Sequence, residues 1–406
     1  MNHCLDRRLS LPQILLCGGV IVTLSMGIRH GFGLWLQPIT QEQGWTRETF
    51  AFALAIQNIA WGLAGVLAGM AADRFGAMRV LMVGGVLYAL GLAGMAWAAT
   101  PLLFALTTGM LIGAAQAGTT YAVIFGVIGR QVDPARRSWA MGLAAAAGSF
   151  GQFLMVPVEG FLIDRLGWQQ ALWVLAALAL LIIPLALGLR EPPKGAAPSG
   201  PVQTMRQAVG EALSAPSFLL LMAGYFVCGF QVVFIGVHMP AYLKDQGLSP
   251  QVASYCLALI GLFNIVGTYV AGSLGQRLAK RKILAFIYLA RALVITVFVL
   301  APVSATSAYL FSAVMGLLWL STVPVTNALV AQIFGVAHLS MLSGFVFLSH
   351  QIGSFLGVWL GGLLYDRSGS YDIVWYIAIA LGLLAAALNL PIREAPMVRT
   401  GAPRAA

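Results

Sequence analysis

Twelve stretches of roughly 20 or more apolar residues follow one another along this chain, and a run of that length crosses a bilayer as a helix. They cover about 12–36, 48–71, 80–98, 101–129, 138–163 and 169–189, then 216–240, 250–274, 282–301, 304–332, 339–365 and 371–391. Hydrocarbon offers the backbone no hydrogen-bond partner, so only helices or a closed barrel can span it. The runs are too long for barrel strands and do not alternate. Only 9% of residues are charged and 60% are hydrophobic, against about 25% and roughly 45–50% in soluble domains. An all-α polytopic membrane protein is expected.

A second constraint is duplication. Gly142, Gly151, Gly160, Asp164, Arg165, Gly167 and Trp173 recur at an offset of 202 as Gly344, Gly353, Gly362, Asp366, Arg367, Gly369 and Trp375. With 46 glycines in the chain, glycine matches are cheap, but the Asp-Arg-x-Gly and Trp matches at one spacing are not. Gly69, Arg74 and Leu81 recur at offset 203 as Gly272, Arg277 and Leu284, and Gly27 and Pro38 recur as Gly229 and Pro240. An internal repeat in so apolar a chain marks a transporter built of two bundles. The expected architecture is therefore twelve transmembrane helices in two six-helix bundles related by the repeat, residues 1–189 and 215–406. A linker over 190–214, rich in Pro and Gly, joins them, with a short surface helix over 205–213.

The net charge of +10 does not mark a nucleic-acid binder, because the cations sit in short connections between apolar runs, not on a stripe with interleaved aromatics. With both termini cytoplasmic, only Arg47, Arg165, Lys244 and Arg367 of the 23 basic residues fall outside, and Arg29 and Arg291 lie within spans. That bias predicts a multi-pass protein of the cell inner membrane. The N-terminal segment runs into the first apolar run without a cleavage site and reads as a retained span. Cys4, Cys17, Cys228 and Cys256 form neither a C-x-x-C pair nor a ligand set, so no disulfide, metal or other cofactor is expected. Neither H-E-x-x-H nor G-x-S-x-G occurs, and no intramembrane acids pair, which argues against an enzyme.

The link after the second span reads Gly69-Met-Ala-Ala-Asp73-Arg74-Phe-Gly76-Ala-Met-Arg79, with a weaker copy from Gly272 through Gln276 and Arg277 after the eighth. This resembles the signature loop of the major facilitator superfamily. The resemblance implies that Gly69, Asp73, Arg74, Gly76, Arg79 and Arg277 latch the halves when the cytoplasmic side is closed. Asp73 is expected near the N-terminus of the third helix, where an acid meets the positive end of the dipole. Within the superfamily the chain is similar to the monocarboxylate and oxalate/formate branch. The residues are Gly31-Phe-Gly-Leu-Trp-Leu-Gln-Pro38 leading to Gly44-Trp45, Phe263-Asn264-Ile-Val-Gly267, and Ser349-His350-Gln351-Ile-Gly353. Thr268 stands where that branch often carries an arginine, and His350 is the nearest basic group in the eleventh span, which argues against dicarboxylate exchange.

Charge inside a span is costly and therefore a site hypothesis. Arg29 is read as a carboxylate-binding fork, with a headgroup-snorkelling arginine as the alternative; its repeat counterpart is Gln231. Arg291 lies near the midplane, where it either meets substrate or bonds carbonyls of neighbouring helices. His30 and His350 are candidates for moving protons. Gln116, Tyr121, Asn264 and Gln351 are polar candidates for orienting a small solute, and Gln57 and Asn58 are weaker ones. Glu159 is the only embedded acid. Gly142, Gly148 and Gly151, with Gly357, Gly361 and Gly362, are expected at a sliding contact between halves. More fixed positive than negative charge favours a small organic anion, a monocarboxylate above all, moved by alternating access with protons as a candidate co-substrate. The protein is expected to work as a monomer in lipid. The rivals are proton-driven efflux of drugs or other amphipathic solutes, and a membrane sensor that binds without transport.

Overall fold

The computed structural model describes residues 9–191, 204–335 and 339–397, and no strand occurs among them. Cys4, His338 and the prolines of the linker lie outside the described residues. Twelve helices are long and apolar enough to span a membrane: α1 (Leu11–Gln43), α2 (Arg47–Ala72), α3 (Ala77–Trp97), α4 (Pro101–Ile128), α5 (Ala140–Leu166), α6 (Trp168–Leu187), α7 (Pro216–Asp245), α8 (Pro250–Leu274), α9 (Lys280–Leu300), α10 (Ala305–Phe334), α11 (Met341–Ser368) and α12 (Asp372–Asn389). A short helix, Met205–Leu213, precedes α7, opened by a Thr204–Gln207 capping box.

Local sequence explains the ends. Ser10, Thr46, Thr100, Ser249 and Ser304 each accept a hydrogen bond from the backbone N–H three residues on, satisfying donors that a helix start leaves open. The repeat-related Gly167 and Gly369 take φ of 80° and 71° after α5 and α11, a region that disfavours any residue with a Cβ. The first span differs from the sequence expectation by running on to Gln43, past a bend at Gly31. Its polar tail, Thr40-Gln-Glu-Gln, continues the helix beyond the apolar stretch until Gly44 turns left-handed at φ 66°.

Two hydrophobic cores form. One is built almost wholly from α1–α6, centred on side chains such as Trp35, Tyr88 and Phe104. The other is built from α7–α12 around Phe234, Trp319 and Trp375. Each bundle is tightened where glycines let backbones touch. Gly151 sits on the backbone of Thr23, and its repeat mate Gly353 sits on that of Phe226. This corrects the expectation that these glycines slide between halves. Gly148 meets Tyr121, and Gly357 and Gly361 meet Phe230 and His238, all within one bundle; Gly362 alone of the set meets the other bundle, at Arg47 and Glu48. A sequence spacing fixes which helix face carries the glycines, not which neighbour uses that face.

The bundles meet through α2 with α11 and α5 with α8. Their cross-links run from mid-membrane, where Asn264 Nδ2 donates to Ser149 at 2.9 Å, to the face opposite the α2–α3 loop, called here the far face. Toward the loop face the bundles part. A methyl built on Gly65, Gly69, Gly142 or Gly344 would touch nothing within 4 Å, whereas one on Gly261 or Gly362 would strike the opposite bundle. The molecule is closed at the far face and open at the loop face.

Candidate functional site

Both bundles break a helix at the same place. In α4 a π-helical stretch, Ala105–Leu111, leads to a stop at Thr120, whose φ and ψ are −109° and −161°, before a helix restarts at Tyr121. In α10 the helix stops at Leu318 and restarts at Thr322, the repeat position of Thr120. Interrupted helices at matching points of two repeats are where secondary transporters hold their cargo.

Arg29 lies near the α4 break, roughly halfway along the 33-residue α1. Its Nη1 donates to Gln57 Oε1 at 3.2 Å and Gln116 Oε1 at 3.4 Å, and its Nη2 to Asn58 Oδ1 at 2.7 Å. The guanidinium lies 4.5 Å from the ring centre of Trp61. All these partners are neutral. Because arginine can only donate, Gln116 must turn its oxygen inward, and its Nε2 is left buried with no partner. The Gln351 side chain on α11 packs against Gly62, one residue beyond Trp61, and its Nε2 is likewise buried and unpartnered. A cation without a counter-ion, held by an amide whose own donor is orphaned, can accept an anion.

Other sequence candidates are otherwise engaged. Arg291 is fully buried; its Nε and Nη2 donate to Leu318 O at 3.1 and 2.7 Å, and Nη2 also reaches Trp319 O. Its Nη1 meets Gln231 Oε1 at 3.4 Å, and Gln231 Nε2 donates to Ala378 O. Of the two alternatives for Arg291, the recorded bonds are those to carbonyls, and they satisfy the broken end of α10. Asn264 serves the same break, accepting Leu320 N–H at 2.9 Å. His30 bonds Met26 O of its own helix turn at 2.6 Å. His350 contacts Gln351 and Ser354 at 3.3 Å and stacks on Phe347, which in turn packs on Trp61. Tyr121 packs against Phe125 and Gly148. Gln57 and Asn58, the weaker candidates, are the ones that hold Arg29.

The far face carries a seal that the sequence reading missed. Arg47 grips Asp245 with both Nη atoms at 2.6 and 2.7 Å, donates to Tyr371 at 2.9 Å and lies 3.8 Å over the Tyr365 ring. Asp366 accepts the N–H groups of Arg47 and Glu48 at 3.2 and 2.6 Å, Glu48 accepts the Trp359 indole at 3.1 Å, and Gln37 donates to Asp245 at 2.8 Å. Arg47 had served only as a topology marker; the pairing of charge with loop aromatics was the signal available.

At the loop face Arg74, Arg79 and Arg277 are exposed, Gly69 has open space before it, Gly272 packs on Pro324 of its own bundle, and Gly76 turns the chain at φ 88°. Asp73 falls in the last turn of the helix Arg47–Phe75, not at the start of α3; its side chain is outside what the structure describes. The acid that meets the α3 N-terminus is Glu191, which accepts Ala77 N–H at 3.3 Å and pairs with Arg130 at 2.8 and 3.0 Å. Burial alone would raise the Glu191 carboxyl, but the Arg130 guanidinium outweighs it and holds the group below the usual glutamate range. The second bundle repeats the clasp: Glu394 accepts Arg281 N–H at 2.8 Å, and Gln332 bonds both Lys280 and Glu394. Arg190-Glu191 and Arg393-Glu394, 203 residues apart, were the unread signal.

A twelve-helix, twofold-repeated membrane fold with a half-buried, unpaired cation beside a broken helix defines a solute transporter. The profile of the Major Facilitator Superfamily matches residues 15–323, and the chain belongs to that superfamily. Monocarboxylate transporter 11 of Mus musculus is 28% identical over 365 residues, covering 86% of this chain and 80% of its own. The uncharacterised MFS-type transporter YcxA of Bacillus subtilis is 24% identical over 374 residues, covering 89% and 90%. In fold the chain is similar to a bacterial homologue of the human lysosomal transporter Spinster in its inward-facing, unoccupied conformation, with TM-score 0.76 at 17% identity over 95% of this chain and 99% of that one. A D-xylose–proton symporter gives 0.74 at 18% over 95% and 98%.

Proposed function

We propose that this protein carries a small organic anion, a monocarboxylate, across the inner membrane by alternating access, with both termini in the cytoplasm. One observation carries the reading: the Arg29 guanidinium is answered only by neutral amides, one of which, Gln116, has a buried N–H donor without a partner. A carboxylate entering from the open loop face takes the arginine fork, displacing Asn58 and Gln57. Charge-assisted bonds of this kind are stronger than the neutral ones they replace. Gln351 belongs to the opposite bundle, so binding draws residues 1–189 and 215–406 together about the 190–214 tether. The Asp73, Arg74, Arg79 and Arg277 loops then close the cytoplasmic side while the Arg47 seal opens. Relatives named monocarboxylate transporters support the solute class.

The test is thermal stabilisation of purified protein by a panel of short hydroxy- and keto-acids. At least one should stabilise the parent, Arg29→Ala should weaken it by about tenfold or more, and Arg29→Lys should restore little because it lacks the fork. Stabilisation that survives Arg29→Ala removes this residue from the site, and stabilisation by lipophilic cations alone would favour efflux.

A further inference from the structure

Among the described residues Glu159 is the acid fully buried within a span, and anion binding gives it no task. Its Oε2 accepts the Trp35 indole N–H at 3.1 Å, and its Oε1 has no hydrogen-bond partner. The carboxyl lies against Gly31 at the bend of α1, in space that any side chain at position 31 would take. No cation among the described residues bonds it. Arg29 and His30, which lead into Gly31, bond the amides and Met26 O. Tyr88 of α3 gives its hydroxyl to Ser25 O, and Ser254 of α8 gives its own to Val156 O. On α8, Cys256 is buried in the apolar core and Tyr255 is exposed. Glu42, on the tail of α1, is taken by Trp168, and α6 carries no titratable side chain. On α5 itself Asp164 and Arg165 are exposed, a turn or more away.

An ionised carboxylate in that setting is a buried charge with no counter-ion and an empty acceptor site, whereas the neutral acid carries no charge to desolvate. A cavity begins at the next residue of its helix. This cavity of about 280 Å³ at the far face is walled by Gly160, Ile163 and Asp164 of α5, by Gly33, Leu34 and Gln37 of α1, and by Lys244 of α7. Gly160 directly follows Glu159, and Ile163 shares its helix face one turn on.

We propose that Glu159 is a proton-binding site: it holds a proton while packed beneath Trp35 and Gly31, and exchanges it with water of the far-face cavity when the Gly31 to Trp35 turn of α1 lifts from α5. On release the O–H bond breaks, the proton passes to cavity water and the carboxylate remains; closure reverses the step. The proposal rests on the two-sided access of a transporter, not on the identity of the solute.

Infrared pH-difference spectroscopy of the full-length protein in lipid nanodiscs, with no solute added, tests it. The wild type should show a protonated carboxylic-acid band that titrates. Glu159→Gln should lose that band and Glu191→Gln should keep it. Identical spectra for wild type and Glu159→Gln overturn the assignment. Should Glu159→Gln fail to fold, Trp35→Phe keeps the acid and removes its donor: a shifted band supports the site, and an unmoved one overturns it. Since no solute is present, a negative result here leaves the carboxylate reading intact, and failed carboxylate stabilisation leaves this one intact.

Discussion

Two arginines sit inside the membrane, and their neighbours give them opposite tasks. Arg291 ties the carbonyls of Leu318 and Trp319, so Arg291→Met leaves buried acceptors without donors. A loss of about 2–5 kcal/mol is expected, read as a lower midpoint in thermal or denaturant unfolding. Arg29→Met, which releases side-chain amides that can re-pair, should shift the unfolding midpoint far less and abolish anion stabilisation. Glu191 gives a pH signature. Its carboxyl is more acidic folded than unfolded, so its contribution is present above the ordinary glutamate range and fades as pH falls through the lower, folded value. Glu191→Gln should flatten the acid end of the stability–pH curve and leave the alkaline end unchanged. The sequence marked Arg29 because a charge inside a span is conspicuous. It could not mark Gln57 and Asn58 as its holders, since the rotation of α2 against α1 is set by packing.

At the level of helices, hydropathy made nearly every span readable, because twenty apolar residues admit one solution in lipid. The breaks in α4 and α10 were invisible for the same reason. Thr120 is flanked by residues that would continue a helix, and the stop in α10 depends on side chains supplied by α8 and α9. Asn264 joins that break to the other bundle through Leu320 N–H and Ser149. Asn264→Leu should cost about 1–3 kcal/mol, and hydrogen exchange should quicken around 319–321 before it does elsewhere. The glycine pairs carry a matching expectation. Gly353→Val drives two methyl groups into the backbone of Phe226, and the purified yield of folded protein should fall sharply, while Gly142→Ala, with open space before it, should be neutral.

For the whole molecule, the far-face seal is the charged cross-link between the bundles. Arg47→Ala removes a two-pronged ion pair, a tyrosine bond and a ring contact. It should shift the balance toward far-face opening by about tenfold or more, measured as longer distances between spin labels placed across that face. The doubled architecture was legible from the offset of 202, and the asymmetry laid over it was not. Asp366 fastens the start of α2 by accepting two backbone N–H groups. Its repeat mate Asp164 faces the start of α8, where the residue corresponding to Arg47 is Pro250, which has no N–H to give. Asp164 and Pro250 border the far-face cavity instead. One flank of the mouth is thus riveted by charge and the other held by neutral bonds such as Ser254 to Val156 O, so the lips should peel apart from the weaker corner instead of gaping evenly, and the first water to enter should arrive on the Asp164 side.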